Sequence, residues 1–71
     1  MNSELISTRL RKLRGSQTRE QVAEACGISL SAIMMYENGK RIPKDDIKIT
    51  LAKYYGSTVE AIFFEGQGHE T

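Results

Sequence analysis

Apolar residues recur at helical spacing from the start of the chain. Ile6, Leu10 and Leu13 fall at i, i+4 and i+7 among charged neighbours, which predicts an amphipathic helix from about Ser3 to Arg14, closed by Gly15. A second helix, roughly Arg19 to Cys26, turns Val22, Ala23 and Cys26 inward. Thr18 with Gln21 three residues on is a capping-box pattern at its start, and Gly27 supplies a left-handed cap at its end. Ser29 caps a third helix, about Leu30 to Glu37, with Ile33 and Tyr36 on one side and Leu30, Ser31, Met34 and Met35 at least partly on the other. Asn38-Gly39 is a pair that tolerates positive φ and stops it.

Pro43 then stands at the entrance to a fourth helix, with Asp45 and Asp46 in its first turn, where negative charge complements the helix dipole. It is expected to reach about Tyr55 and end at Gly56. Ile47, Leu51 and Tyr54 or Tyr55 follow helical spacing, and so do Ala52 and Tyr55, so its facing stays open. Thr58 is the expected N-cap of a short fifth helix, Val59 to Phe63, packing Val59, Ile62 and Phe63. Phe64 is harder to house and reads as either extra core or a contact with a second copy, which makes Phe63 and Phe64 the candidates for a dimer interface. Residues 1–65 are expected to form one domain, with a polar, glycine-rich disordered tail at 66–71.

The second and third helices, about two turns each and joined by a few residues around Gly27, form a helix-turn-helix, which presents its second helix as a probe. Ala23 falls where the two must approach closely, and Val22, Ile28 and Ile33 where they share a core. By these residues the sequence resembles the phage-repressor and Cro type of helix-turn-helix, the bacterial xenobiotic-response-element (XRE) family of transcriptional regulators. The resemblance runs from Leu10 to Phe64 and is sharpest at Tyr36-Glu37-Asn38-Gly39-Lys40-Arg41-Ile42-Pro43. It implies an all-α, compact, five-helix, lambda-repressor-like DNA-binding domain. One departure is a linker, Gly15-Ser16-Gln17, about two residues shorter than the commoner family spacing, which trims a surface loop.

The resemblance also distributes roles. It implies base readout by Leu30, Ser31, Met34 and Met35, and phosphate contacts by Thr18, Arg19, Ser29, Asn38, Lys40 and Arg41. Relatives carry Gln, Arg, Lys or Thr at many of the reading positions and Gln where Arg19 stands. Here Leu30, Met34 and Met35 suit thymine methyls rather than paired hydrogen bonds, so discrimination is expected to lean on DNA shape or dimer geometry. The same apolar surface equally suits a protein partner, because methionine adapts to irregular grooves. Arg14 and Glu37 match a family ion pair tying the first helix to the third; the alternative is two surface charges of little energetic consequence.

With 71 residues the chain has room for one domain, and a fold this small buries only about 60% of its unfolded surface, so a small helical fold or dimerisation is expected. Ten Lys and Arg against nine Asp and Glu leave a net charge of +1, so no bulk basicity announces nucleic acid. The distribution is uneven: Arg9, Arg11, Lys12, Arg14, Arg19, Lys40, Arg41 and Lys44 precede Asp45, while Glu60, Glu65 and Glu70 gather at the end.

No apolar run approaches the roughly 20 residues of a membrane span, so a cytoplasmic, nucleoid-associated protein is expected. Cys26 is the lone cysteine and His69 the lone histidine, so neither a disulfide nor a metal set is expected, and no cofactor. An enzyme is not expected either, for want of a nucleophile with a base or a phosphate-cradling glycine loop. The expected partners are double-stranded DNA and a second copy of the chain, as a repressor on a roughly palindromic operator, with a regulatory protein as a further possibility and no membrane.

Overall fold

Each of the first three helices begins and ends where a local device dictates. In the computed structural model, which describes residues 2–64, α1 spans Ser3–Arg14, α2 Arg19–Cys26, α3 Leu30–Glu37, α4 Asp45–Tyr54 and α5 Glu60–Phe64. The tail expected at 66–71, with His69, and the domain limit at Glu65 lie outside the described residues. Among those residues the fold is entirely helical.

Asn2 caps α1 by accepting from the Leu5 amide at 3.0 Å. At the head of α2 both halves of the capping box form: Thr18 Oγ1 accepts from the Gln21 amide at 3.0 Å, and Gln21 Oε1 from the Thr18 amide at 2.8 Å. Gly27, at φ 68°, closes α2 in a Schellman turn in which the Ile28 amide reaches the Ala23 carbonyl at 2.9 Å. Of the Asn38-Gly39 pair that follows α3, Gly39 takes the left-handed conformation, φ 74°, while Asn38 remains at φ −99°.

Every helix sends two residues into one core: Ile6 and Leu10, Val22 and Ala23, Ile33 and Tyr36, Leu51 and Ala52, Ile62 and Phe63. Leu13, Cys26, Ile28, Ile47, Tyr55 and Val59 close its edges. Cys26 is therefore half-buried at the margin rather than central, and burial pushes its thiol pKa up. α3 packs on both α1 and α2, α5 on α1, and α4 on α2, so α3 is held from two sides.

The structure settles the facing of α4, left open by the sequence, and refines the last helix. On α4 the inward positions are Lys48, Leu51 and Ala52, with Ile47 only half-buried and Ile49 exposed. Lys48 fills an apolar position with its four-carbon stem while its ammonium stays 3.3 Å from Asp45 Oδ1 and 5.2 Å from the Phe64 ring centroid. The last helix opens at Val59, as expected, but its body, Glu60–Phe64, is a single π turn, with Thr58 Oγ1 accepting from the Ala61 amide at 3.0 Å. A π turn rotates less per residue than an α turn, so the adjacent Ile62 and Phe63 both reach the core. Phe63, 0% exposed, thus has no surface to offer a second copy and is withdrawn as an interface candidate; Phe64 is 46% exposed.

Candidate nucleic-acid interface

The outward side of α3 is apolar without being buried. Leu30 and Met34 are 38% and 41% exposed and Ser31 is exposed, while Met35 lies half-buried towards the flank. Ile33 and Tyr36 anchor the opposite side, which fixes the rotation of this short helix about its axis. Ser29 is exposed, and its hydroxyl accepts from the Ala32 amide at 3.0 Å as the cap. Beside this face, Arg14, Thr18, Arg19, Glu20, Leu30 and Met34 line a cleft of about 370 Å³ between the head of α2 and α3. Asn38, Lys40 and Arg41 follow α3 as exposed loop residues.

The charge centre of the region is Glu37, at the last turn of α3 and 2% exposed. Its Oε2 accepts from Arg14 Nε at 2.8 Å and its Oε1 from Arg19 Nε at 3.0 Å. Arg14 Nη1 also donates to the Gln17 carbonyl at 2.8 Å, so one guanidinium ties α1, the linker and α3 together. The hydrogen bond to Glu37 drives the Arg14 pKa up, against the smaller opposing effect of burial. Arg11 Nη1 donates to the main-chain carbonyl of Glu37, a cation at the negative end of the helix. Nearby, burial and then the Glu37 charge push the Tyr55 hydroxyl up to about 12.

This cluster changes the expectation for Arg19. The sequence presents it as an unattached cation at the head of α2, whereas the folded chain holds it against a buried carboxylate. Other arginines of the basic N-terminal half are likewise engaged within the chain: Arg9 Nη1 donates to the Ile62 carbonyl at 3.0 Å. Lys12, Lys40, Arg41 and Lys44 are exposed. The Arg19 bond spans 18 positions, so no helical spacing rule reveals it; the available signal is the arginine standing where relatives carry glutamine. Among the described residues no group of three or more His, Cys, Asp or Glu side chains is arranged to hold a metal, and no helix is long and apolar enough to cross a membrane.

A short helix pair locked by a capping box and a Schellman turn, with an exposed second helix, defines the helix-turn-helix class of DNA-binding domain. The family model described as Helix-turn-helix (HTH_3) matches residues 9–62, and the chain belongs to that XRE-type family of DNA-binding regulators. No curated protein and no solved structure matches it.

Proposed function

We propose that this DNA-binding regulator is a repressor that recognises a roughly palindromic operator as a homodimer. The observation that carries the reading is the α3 face. Leu30, Ser31 and Met34 stand clear of the core on a helix whose rotation is fixed by Ile33 and Tyr36. In this reading Leu30, Ser31, Met34 and the edge of Met35 meet base edges, mainly thymine methyls, and Ser31 supplies the hydrogen bond. Thr18, Arg19, Ser29, Asn38, Lys40 and Arg41 hold the phosphates and set the register. Phe64, exposed at the end of α5, joins the two copies, which sets their α3 helices about 34 Å apart in successive major grooves.

The test separates positioning from reading residues by fluorescence anisotropy on a panel of duplexes. Arg41→Ala weakens binding to all sequences alike and flattens the salt slope by about one unit. Ser31→Ala instead changes the ranking of sequences. If both variants behave alike, the division of roles is wrong. The exposed Leu30 and Met34 favour a second reading, a protein-interaction module such as an antitoxin or adaptor, whose binding is insensitive to salt.

A further inference from the structure

We propose that Arg19 is a bridging residue, anchored through Nε on Glu37 and serving a DNA phosphate through its Nη donors, so that Glu37 acts on DNA binding as a positioning residue. This rests on the reading of Arg19 as a phosphate contact. A guanidinium carries five N–H donors in a planar fork, and Glu37 takes the one on Nε. Among the described residues that is the only hydrogen bond the Arg19 side chain makes. Its side chain is 41% exposed and lines the cleft with Thr18, Leu30 and Met34, beside the reading face of α3.

Because the fork is planar, holding Nε against a carboxylate that is itself 2% exposed fixes the direction of both Nη groups before DNA arrives. Glu37 is a residue of α3, so the phosphate donor is referenced to the helix that reads the bases. A backbone contact and a base contact are thereby coupled through one carboxylate. Arg14, on the other oxygen of Glu37, is spent on the Gln17 carbonyl and braces the carboxylate from α1.

Lysine distinguishes this geometry from simple charge attraction. It keeps the positive charge but carries all its donors on one nitrogen at the end of a flexible stem, so it lacks a plane to lock. The experiment compares the wild type with Arg19→Lys, Arg19→Gln, Glu37→Gln and the Arg19→Gln/Glu37→Gln double variant. Each is titrated by anisotropy on a duplex selected with the wild-type protein, and its fold is followed by circular dichroism.

Bridging predicts that Arg19→Lys loses affinity nearly as much as Arg19→Gln, roughly tenfold, the loss of one charge-assisted hydrogen bond. It also predicts that Glu37→Gln costs less in the Arg19→Gln background than alone. Arg19→Lys binding like the wild type, or strictly additive losses, would overturn it, leaving Glu37 a brace for the fold only. No effect of Arg19→Gln would remove Arg19 from the phosphate contacts while leaving the operator reading intact. A wild-type protein that selects no duplex would fail at that reading itself. Should Glu37→Gln not fold, the comparison of Arg19→Lys with Arg19→Gln decides alone.

Discussion

Arg14 and Glu37, 23 positions apart, meet at 2.8 Å between Nε and Oε2, so the end of the first helix is bonded to the end of the third. The carboxylate is almost wholly out of water, and a buried charge is tolerable only while its partners remain. The pair is therefore a condition on the fold as much as on the site.

Removing the two arginines separately is expected to have unequal effects. Arg14→Ala takes away the more enclosed partner, 17% exposed, and leaves one oxygen of the buried carboxylate unpaired, with only the half-exposed Arg19 on the other, for a loss of about 3 kcal/mol. Arg19→Ala removes a partner 41% exposed, already screened by water, and is expected to cost about 1 kcal/mol or less. Thermal melts by circular dichroism rank the two. Equal losses, or none for Arg14→Ala, would contradict the buried clamp.

Lys48 gives the opposite prediction. Its stem occupies a core-facing position of α4, while its ammonium has Asp45, which is 96% exposed, and the rings of Phe63 and Phe64 for company. Met at this position keeps the stem volume and drops the desolvated charge, so Lys48→Met is expected to be neutral or stabilising by up to about 1 kcal/mol. Lys48→Ala loses the packing and destabilises. Urea midpoints of the two variants check this; a Lys48→Met protein as unstable as Lys48→Ala would show that the charge itself is needed.

How much of this was legible in the sequence follows from where each signal lies. The limits of α1, α2 and α3 were readable because each is set by neighbours in the chain, such as Thr18 with Gln21 or Gly27 after Cys26. The facing of α4 was not, because a search for apolar residues passes over Lys48, whose stem is apolar and whose end is not. The burial of Ile62 and Phe63 was readable, but the π turn that carries them was hidden, since no local residue pattern separates it from an α turn. At the candidate site, the spacing of Leu30 and Met34 from Ile33 and Tyr36 placed them off the core. The Arg19 bond to Glu37 was signalled only by an arginine standing where relatives carry glutamine, because its geometry depends on how α2 and α3 cross.

The tyrosine beside this cluster gives a pH signature. Tyr55 titrates near 12 when folded, against an ordinary value near 10, chiefly because burial disfavours the phenolate and secondarily because Glu37 repels it. The folded state therefore binds this proton more tightly than the unfolded chain. The resulting stability is fully present below pH 10 and is lost as the pH rises from 10 towards 12. Denaturation curves across that window are expected to show the decline, with a shallower one in Tyr55→Phe. An unchanged slope in Tyr55→Phe would assign the decline to other groups.

The central claim, that the exposed face of α3 reads DNA, is tested most directly by selecting bound duplexes from a random pool with the intact protein. The winner is then titrated by fluorescence anisotropy at two salt concentrations. The account predicts a recurring motif with two-fold symmetry, bound with an affinity that falls steeply as salt rises. No enrichment, or binding that is salt-sensitive but indifferent to sequence, would contradict it.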